Sequence, residues 1–483
     1  MPADSDNDTC YRALQSRDAR FDGVFFTGVT STGIYCRPIC PTRTPKQANC
    51  RFYTSASLAE QEGFRPCLRC RPELAPSANG QSGVVDALLR RLQNSGMMEV
   101  DMADLVAMSG FSERHLRRQF LQETGLSPIA VLQTRRLLFA KQLLQDTALP
   151  VTDIAFSAGF RSLRRFNALF KERYGLAPTA LRGSHAAAEG TVTLRLDYRP
   201  PLHWPSLLAH LKHRLTPGLD AIEDDAYLRT VRIGPHAGWL RLGPGVKPHT
   251  LAAEVPSSLA PVLGELLARV RQLCDLDAHP LQIDAVLGTD PVMAPYVNRR
   301  PGLRVPGAWT PFELASRTVL GQQVSVAGAN TIMGRLALRF GESIATPWSG
   351  LNVSTATAEA VAAASIDDLA RLGMPGKRAE ALRHLAQAML DGRLNLLPGG
   401  DAAQAMAALK ALPGIGEWTA QYLAMRVMRH PDAFPAGDLG LRKALEDNGR
   451  MPSERETLAI AEAWRPWRSY AALHLWLRNS TTP

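Results

Sequence analysis

Hydrophobic and polar residues repeat with two different periods along this chain, and the change of period divides it. Val192, Leu194 and Leu196 alternate with polar residues, and two β-prone runs follow at residues 227–233 and 239–242. This period of two predicts a strand-rich region from residue 190 to about residue 290. Beyond about residue 310, Ala-rich segments with helical spacing predict a region that is nearly all helix.

Two of the predicted helices meet at a tight turn in the C-terminal half. They cover residues 402–412 and 416–428, and the turn reads Leu412-Pro413-Gly414-Ile415-Gly416. Such a turn leaves backbone N–H groups unpaired at the start of the second helix, where they can bind a phosphate. An ordinary helical hairpin is the alternative when the turn is considered alone.

A unit of about fifty residues occurs twice in the first half of the chain. Asp104-Leu105-Val106 with Ser109-Gly110-Phe111 recurs as Asp153-Ile154-Ala155 with Ala158-Gly159-Phe160. In each copy a glycine turn precedes a helix that carries several arginines, namely Arg114, Arg117 and Arg118 in the first copy and Arg161, Arg164 and Arg165 in the second. Arginines on a helix usually mark a solvated face, but their duplication favours helices that contact DNA.

Stretches rich in small and turn-forming residues predict linkers at residues 74–83 and 183–190. With the change of period they divide the chain into four predicted domains. These are a small α+β domain at 1–75, an all-α double helix-turn-helix at 84–183, an α+β domain at 190–295 and an all-α domain at 296–483.

The composition of the chain is compatible with a polyanionic partner but does not require one. The 483 residues carry a formal net charge of +10, and 45% of them are hydrophobic. A basic excess suits nucleic acid but also a merely soluble protein. The polar, acidic N-terminus lacks the features of a signal peptide, and no run of 18 apolar residues exists. We therefore expect a cytoplasmic protein.

Six of the seven cysteines lie in the first 70 residues. Cys36 and Cys40 form one close pair, Cys67 and Cys70 form another, and this arrangement lets four thiolates surround one tetrahedral Zn²⁺. From spacing alone, a purely structural zinc site is the favoured interpretation. Cys10 and Cys50 have no such partner and are expected to be ordinary cysteines.

The segments around these cysteines carry a family resemblance. Thr32-Gly33-Ile34-Tyr35-Cys36-Arg37-Pro38-Ile39-Cys40 and Gly63-Phe64-Arg65-Pro66-Cys67-Leu68-Arg69-Cys70-Arg71-Pro72 resemble the N-terminal domain of the adaptive-response Ada family. In that family the cysteine at the Cys36 position takes a methyl group from a DNA methylphosphotriester. The resemblance therefore implies a single-use methyl acceptor, whose net charge would change from about −2 to −1 and act as a switch. The residues expected to hold the phosphate backbone are Arg37, Arg43, Arg69 and Arg71.

The duplicated unit resembles the paired helix-turn-helix domain of AraC-type transcription regulators, which follows the zinc domain directly in the Ada family. This resemblance implies sequence-specific DNA binding. The arginines of the two copies, from Arg114 to Arg165, are the expected DNA contacts.

The glycine turn, the following loop and Asp438 together resemble the helix-hairpin-helix superfamily of DNA glycosylases. Further motifs, spread over residues 190–480, look like the AlkA-type 3-methyladenine DNA glycosylases. They are Arg300-Pro301-Gly302-Leu303-Arg304-Val305-Pro306-Gly307, Leu320-Gly321-Gln322-Gln323-Val324-Ser325-Val326, Leu372-Gly373-Met374-Pro375-Gly376-Lys377-Arg378-Ala379 and Trp464-Arg465-Pro466-Trp467-Arg468-Ser469-Tyr470. The resemblance implies excision of alkylated purines.

The same resemblance assigns roles to individual residues. Trp418, Tyr422 and Trp476 match aromatic positions of the pocket, where they would stack on a flipped-out cationic base. Asp438 would stabilise an oxocarbenium-like transition state and help water attack. Core packing is the alternative for the aromatic residues, and a surface residue or helix N-cap is the alternative for Asp438. DNA contacts are expected at Gly414, Ile415 and Gly416, and Gln323 stands where a leucine enters the duplex.

Differences from related enzymes narrow the predicted chemistry. Trp418 stands where bifunctional members have a Schiff-base lysine, and Cys274 is the only cysteine of the C-terminal half, so neither an imine nor an iron–sulfur cluster is expected. Leu439 replaces a pocket tyrosine. Cys274 is followed by Asp275, so the Pro-Cys-His-Arg motif of a methylguanine transferase is missing.

The sequence thus predicts a monofunctional glycosylase for alkylated purines such as 3-methyladenine, joined to a Zn²⁺-dependent methylation sensor and a transcription regulator. The alternative is a regulator whose C-terminal half binds DNA without catalysis. Expected partners are alkylated double-stranded DNA, a promoter operator and RNA polymerase. We expect a monomer acting on the bacterial nucleoid.

Overall fold

A computed structural model describes residues 7–76, 84–182 and 190–478. Its contacts divide the chain into two compact units. The first unit comprises residues 1–200, 244–268 and 276–279, and the second comprises 201–243, 269–275 and 280–483. Most of the two predicted linkers, at 77–83 and 183–189, lies outside the described residues. The four domain boundaries remain predictions.

The helices and strands are numbered in chain order. The strands are β1 (Phe26–Val29), β2 (Ile34–Cys36), β3 (Cys50–Tyr53), β4 (Arg65–Pro66), β5 (Thr191–Asp197), β6 (Asp220–Glu223), β7 (Ala226–Ile233), β8 (His236–Pro244) and β9 (Thr250–Pro256). The helices of the N-terminal part are α1 (Asn7–Ser16), α2 (Ala56–Gln61), α3 (Val84–Ser95), α4 (Met102–Ser109), α5 (Glu113–Thr124), α6 (Pro128–Asp146), α7 (Val151–Ser157) and α8 (Leu163–Tyr174). Those that follow are α9 (Trp204–Lys212), α10 (Leu263–Leu273), α11 (Pro280–Leu287), α12 (Ala294–Arg299), α13 (Pro311–Leu320), α14 (Val326–Phe340), α15 (Ala358–Ala363), α16 (Ile366–Ala370), α17 (Gly376–Leu390), α18 (Ala402–Lys410), α19 (Glu417–Arg426), α20 (Leu439–Ala444), α21 (Glu454–Ala461) and α22 (Arg468–Trp476).

The first unit begins with a small sheet of strand order β3-β1-β2-β4. Strands β2 and β3 run antiparallel to β1, and β4 runs parallel to β2. Phe26, Tyr35, Ala59 and Phe64 form its apolar core. So small a core buries little surface, and a bound metal is a common supplement in domains of this size.

The duplicated unit folds twice in the same way. Ser112 caps the start of α5 and Ser162 caps the start of α8, each with its side-chain oxygen on a backbone N–H three residues later. Gly125 and Gly175 end the same two helices in the left-handed conformation that glycine adopts most readily. Helix α6 connects the two copies. This architecture confirms the predicted double helix-turn-helix.

The strands expected after residue 190 are present, with additions. Strand β5 pairs antiparallel with β9 in the first unit, and in the second unit β7 pairs antiparallel with both β6 and β8. The alternating Val192, Leu194 and Leu196 are all buried. The patterns did not reveal β6 and β9, because the first is four residues long and both lack a clear alternation of large apolar side chains.

The helical half of the second unit is built around one core. Helices α13, α14, α17, α18 and α19 contribute most of its buried apolar side chains. The hairpin predicted from 402–412 and 416–428 is α18 followed by α19, with Gly416 as the N-cap of α19. Both helices are shorter than predicted, because the turn begins after Lys410 and α19 ends at Arg426. The predicted fold class is confirmed.

Candidate functional site

The four predicted cysteines come together in the first unit. Cys36 ends β2 and Cys67 follows β4, so the parallel pairing of these strands brings the two sequence pairs side by side. Their four sulfur atoms lie within 4.8 Å of one another, and each residue is 5% to 8% exposed. Sulfur atoms on a tetrahedral Zn²⁺ at about 2.3 Å are roughly 3.8 Å apart, so the cluster fits this ion.

Electrostatics around the cluster favour a cation. Burial raises the pKa of the Cys70 thiol, which means that four thiolates need compensating positive charge. The backbone N–H of Arg37 points at Cys70 Sγ over 3.3 Å, and Thr42 Oγ1 lies 3.1 Å from Cys40 Sγ. These contacts orient the sulfur atoms but supply no full charge. The cysteines therefore form a Zn²⁺ site.

Two of the four arginines predicted to hold DNA near this site are buried instead. Arg37 is 1% exposed, and its guanidinium bonds to Asp22 and, at 2.7 Å, to Asp197 on β5. Arg71 pairs with Glu73 at 2.9 Å and with Asp146 of α6 at 2.5 Å. The expectation that Arg37 and Arg71 contact phosphate is therefore wrong, because carboxylates already occupy both guanidiniums. Arg43 and Arg69 are exposed and remain candidates.

The zinc domain is also fastened to α6 by buried polar groups. Glu73 accepts a bond from Lys141, whose side chain is fully buried. Glu60 accepts hydrogen bonds from Tyr35 at 3.0 Å and from Thr134 at 3.2 Å. Burial raises the pKa of the Glu60 carboxyl to about 7. Sequence inspection missed these partners, because they are 25 to 74 positions apart.

The six predicted arginines of the helix-turn-helix copies are all exposed. Arg114, Arg117 and Arg118 lie on α5, and Arg164 and Arg165 lie at the start of α8, just after Arg161. Arg117 pairs with Glu113 at 2.7 Å within its own helix, and Arg161 approaches Asp101 at 3.7 Å. Exposed pairs of this kind are weak and leave the side chains available to a phosphate.

In the second unit, the glycine turn presents its backbone to solvent. Gly414 has a φ of +79°, where a side chain would be strained, and a Cβ at Gly416 would meet open space. Both glycines are exposed, whereas Ile415 is 6% exposed and packs in the core. The free N–H groups of the first turn of α19 are thus available for an anion.

The loop between α13 and α14 is tied to this turn. Gln322 donates from Nε2 to the Gly414 carbonyl at 3.0 Å and to Thr419 Oγ1 at 3.3 Å. The neighbouring Gln323 is exposed and has a φ of +56°, an uncommon conformation outside glycine. Sequence reasoning selected Gln323 and missed the anchoring role of Gln322.

Asp438 and the predicted pocket residues converge at one place. Asp438 is half-buried, and its Oδ2 accepts the indole N–H of Trp418 at 2.8 Å while its Oδ1 accepts that of Trp476 at 2.9 Å. Oδ1 also accepts the Leu441 N–H at 3.0 Å, so Asp438 is the N-cap of α20 as well. Asp438 can therefore cap α20 and still present its carboxylate to the aromatic residues. A Cβ at Gly440 would lie 3.0 Å from Asp438 Oδ1 and 3.3 Å from Trp476, so glycine permits this approach.

The aromatic residues form a continuous surface beside Asp438. The rings of Trp418 and Tyr422 stack with centroids 5.1 Å apart and planes 10° apart, and Trp476 lies 6.0 Å from Tyr422. All three are half-buried, unlike ordinary core residues. Together with the carboxylate they make an open site that suits a planar, positively charged group.

Behind Tyr422 lies a group of cations that the sequence did not reveal. Arg426 donates to the Tyr422 hydroxyl oxygen at 2.7 Å, and Arg214 acts on it electrostatically. Burial alone would raise the pKa of Tyr422, but Arg426 and Arg214 lower it below the usual value. Arg214 is more than two hundred positions from Tyr422, so no local pattern could have linked them.

Comparison with known families accounts for most of the chain. Residues 9–73 match the metal binding domain of Ada, and residues 105–184 match a helix-turn-helix domain. Residues 193–310 match the AlkA N-terminal domain, and residues 316–469 match the HhH-GPD superfamily of base excision DNA repair proteins. Fold and site thus define a class of DNA-binding repair enzyme that carries a regulatory module.

One match among curated proteins spans all four matched domains. A probable bifunctional transcriptional activator/DNA repair enzyme AlkA of Mycobacterium tuberculosis is 39% identical over 98% of this chain and 96% of its own length. The chain belongs to this family. DNA-3-methyladenine glycosylase 2 of Escherichia coli is 37% identical over 60% of this chain and 98% of its own length.

A solved structure supports the fold of the C-terminal part. The 3-methyladenine DNA glycosylase from Archaeoglobus fulgidus has a TM-score of 0.51 and 21% identity, covering 59% of this chain and 97% of that chain. The protein is a DNA glycosylase of alkylation repair with an Ada-type zinc domain, which removes the non-catalytic alternative. Among the described residues, no helix has the length and apolar character needed to cross a membrane.

Proposed function

We propose that the second unit binds alkylated DNA at the α18–α19 turn and releases the damaged purine beside Asp438. The observation that carries this proposal is the pair of indole N–H bonds that hold the Asp438 carboxylate against Trp418 and Trp476. They fix a negative charge next to an aromatic surface. A cationic base and a developing oxocarbenium ion are both stabilised by such a site.

Each residue has a defined part in the reaction. The bond between deoxyribose and the alkylated base breaks with its electron pair moving to the base, which leaves as a neutral purine. Asp438 offsets the positive charge on the sugar, and water then adds to the sugar carbon and loses a proton. A carboxylate has about four lone-pair positions, and three are used by Trp418, Trp476 and Leu441, so one is left for the sugar or the water.

The DNA contacts of the second unit follow from the two exposed loops. The N–H groups of Gly416 and of the first turn of α19 bind a phosphate, because the Ile415 N–H already donates to the Leu412 carbonyl at 3.2 Å. Gln323 enters the space left by the flipped base. The bond from Gln322 to the Gly414 carbonyl keeps these two elements in register. Phosphate binding and base extrusion are thereby coordinated.

In the first unit, Cys36 sulfur accepts a methyl group from a methylphosphotriester. The S–CH₃ bond forms as the O–CH₃ bond breaks, and the electron pair stays on the phosphate oxygen as an ordinary phosphodiester. Bound Zn²⁺ keeps the four sulfurs deprotonated without protons being exchanged in this step. Arg43 and Arg69 hold the neighbouring phosphates, and the loss of one negative charge strengthens DNA binding.

After methylation, the six helix-turn-helix arginines bind a promoter, and the protein contacts RNA polymerase there. It acts as a monomer in the cytoplasm. Peptide mass spectrometry after treatment with methylphosphotriester DNA should find one methyl group at Cys36, together with tighter operator binding that weakens steeply with salt. A methyl group at another residue, or unchanged operator affinity, would contradict the switch.

The glycosylase proposal is tested by measuring base release from duplex DNA containing 3-methyladenine or 7-methylguanine. Free base should appear with the wild-type protein, and the sugar-phosphate strand should stay intact. Strand cleavage through an imine, detected by borohydride trapping, would contradict the monofunctional assignment.

A further inference from the structure

The arginine that directly follows Cys36 reaches out of the zinc domain. The Arg37 guanidinium donates from Nη1 to Asp197 Oδ2 at 2.7 Å. Asp197 is the last residue of β5, lies 160 positions further along the chain, and belongs to the region that matches the AlkA N-terminal domain. One side chain therefore connects the methyl-acceptor site to the first strand of that domain within the first unit.

Arg37 also contacts a second zinc ligand directly. Its backbone N–H donates to Cys70 Sγ at 3.3 Å, and its Nη1 donates to the Cys70 carbonyl at 3.0 Å. A peptide bond joins Arg37 to Cys36, the proposed methyl acceptor. A shift of Arg37 would therefore move two of the four ligating cysteines.

The Arg37 guanidinium is occupied on both of its sides. Asp22 accepts from Nε at 2.8 Å and from Nη2, whereas Asp197 accepts from Nη1. Arg37, Asp22 and Asp197 are 1%, 2% and 4% exposed, so bulk water does not reach this group of charges. Without the Asp197 carboxylate, Nη1 would keep the neutral Cys70 carbonyl as its acceptor among the described residues, and the guanidinium would be held less firmly.

A second arginine crosses the same boundary in the opposite direction. Arg199, which follows β5 and is 2% exposed, donates from Nε to the Asp22 carbonyl at 3.0 Å and from Nη2 to the Pro76 carbonyl at 3.2 Å. A Cβ at Gly23 would lie 1.8 Å from the Pro76 oxygen and 3.3 Å from Arg199, so glycine permits this close fit. Asp22 thus binds Arg37 with its side chain and Arg199 with its backbone, and the two domains interlock at this point.

We propose that Asp197 is a positioning residue of the methyl-acceptor site, and that through it the AlkA N-terminal domain supports the zinc site. The inference rests on the proposed methyl transfer to Cys36. Asp197 fixes the Arg37 guanidinium, and Arg37 holds Cys70 and the segment that presents the Cys36 sulfur. Such coupling is reciprocal, so methylation of Cys36 changes the free energy of the contact with β5 by the same amount.

The expected magnitude follows from other metal sites. Residues that bond to the metal ligands rather than to the metal set the orientation of the ligating atoms, and their loss lowers metal affinity or activity by about 10- to 100-fold. Asp197 is one residue further from the metal than Arg37. We therefore expect its effect at the lower end of this range.

The first test measures zinc release and needs no methyl transfer. Full-length protein is mixed with an excess of the chromophoric chelator pyridylazoresorcinol, and the rate of zinc transfer is followed by absorbance. Asp197→Asn keeps the shape of the side chain and removes its charge, so zinc should leave about tenfold faster. Asp197→Glu keeps the charge and should recover part of the difference.

A double-mutant cycle shows whether Asp197 acts through Arg37. In a protein that carries Arg37→Met and Asp22→Asn, adding Asp197→Asn should no longer change the rate of zinc release. If this background does not fold, Arg37→Lys replaces it, and the effect of Asp197→Asn should shrink because one ammonium group cannot hold both carboxylates in the same way. An equal effect with and without Arg37 would show that Asp197 merely stabilises β5, and would overturn the inference.

Two control variants separate this contact from general stability. Asp432 in the second unit also bonds to two arginines, Arg465 at 2.6 Å and Arg468 at 2.7 Å, so Asp432→Asn is the matched control. Arg195→Gln removes the other arginine of Asp197, which lies at 2.6 Å. Neither variant should release zinc faster, and a tenfold increase in either one would contradict a role specific to Arg37.

The second test measures methyl transfer from a duplex that contains one methylphosphotriester, in a single turnover with protein in excess. At saturating protein the rate constant should fall about tenfold in Asp197→Asn, whereas affinity for the duplex should not change, since Asp197 is buried. Equal affinity distinguishes positioning of the sulfur from a loss of DNA binding. A weaker affinity with an unchanged rate constant would contradict the inference.

The two tests fail in distinguishable ways. If wild-type protein accepts no methyl group, the proposed transfer is wrong, and zinc release alone decides the role of Asp197. If the transfer occurs but Asp197→Asn releases zinc at the wild-type rate, the inference is wrong and the methyl acceptor remains.

Discussion

The cations beside the zinc cysteines and the cations behind the base pocket are arranged in opposite ways. Arg37, Arg71 and Lys141 are buried, and each pairs with one or two carboxylates. Arg426 is equally buried, but among the described residues its ionisable partner is a phenol. A fully paired cation fastens one segment to another, whereas a cation without a carboxylate changes the chemistry of whatever lies next to it.

The difference matches what each site has to do. In the proposed function the zinc cysteines accept one methyl group once, so their surroundings need only hold them and transmit a change of charge. The base pocket has to distinguish a damaged base from a large excess of normal ones.

The largest expected effect concerns the metal, because the paired cations of the first unit surround it. Purified protein should carry one Zn²⁺, and its removal by a chelator should unfold the zinc domain, since structural zinc contributes about 10–16 kcal/mol in small domains. Base release by the second unit should survive. Elemental analysis without zinc, in protein whose four thiols are intact, would contradict the site.

The comparison itself is tested by replacing one arginine from each region. Arg37→Met leaves Asp22 buried without its arginine, whereas Asp197 keeps Arg195 at 2.6 Å, and should lower the free energy of unfolding by about 3–5 kcal/mol. Arg426→Met strands no carboxylate among the described residues and should cost about 1 kcal/mol. Chemical denaturation followed by circular dichroism measures both.

A rescue experiment checks that the lost stability comes from a carboxylate left without its arginine. Adding Asp22→Asn to Arg37→Met should recover part of the lost stability, because Asp22 is the carboxylate that loses its arginine, and Arg37→Lys serves if the first variant does not fold. Equal losses for Arg37→Met and Arg426→Met would remove the distinction between the two regions.

Asp438 is the negative charge of the base pocket that we propose, so its removal should have the largest kinetic effect. Asp438→Asn keeps the shape and should lower base release about a hundredfold or more, if the carboxylate supplies roughly 3 kcal/mol in the transition state. Binding to abasic DNA should persist. Single-turnover release of 3-methyladenine at the wild-type rate would require a different catalytic residue.

Glu60 is a buried carboxyl whose closest partners are the neutral Tyr35 and Thr134. It is the acidic counterpart of Arg426, a buried cation without a carboxylate partner among the described residues. Its other neighbours are Arg173, Lys141 and Tyr174. Its pKa of about 7 in the folded protein exceeds the usual 4.5, so between these values the folded state holds a proton that the unfolded state has lost. Stability should therefore fall by up to about 3 kcal/mol as pH rises from about 4.5 to 7.

The control for this pH effect is Glu60→Gln, which keeps the shape and cannot ionise. The difference in unfolding free energy between it and the wild-type protein should change across this range and level off above pH 7. A pH-independent difference would show that Glu60 ionises normally.

What the sequence could reveal depended on distance along the chain. The cysteine pairs, the capped helices and the glycine turn are local patterns, so spacing and periodicity predicted them. Asp438 and its aromatic neighbours came from the family resemblance. Arg37 and Asp197 are far apart in the sequence, as are Arg214 and Tyr422. Only the folded chain brings the members of each pair together.

The smallest effect is expected at the glycine turn, where the positive end of α19 rather than a side chain attracts the phosphate. Gly416→Val meets open space in the protein, so stability should hold, but its side chain would stand in front of the N–H groups. Affinity for undamaged and damaged DNA should fall about tenfold, or roughly 1.4 kcal/mol, with base release from bound DNA nearly unchanged. Gly350→Val is the matched control, since a Cβ there also meets open space and its backbone does not begin a helix. Fluorescence anisotropy measures both affinities. If Gly416→Val bound DNA as tightly as Gly350→Val, the α19 N-terminus would not hold a phosphate, and the second unit would have to bind DNA through side chains, as we propose for the helix-turn-helix copies.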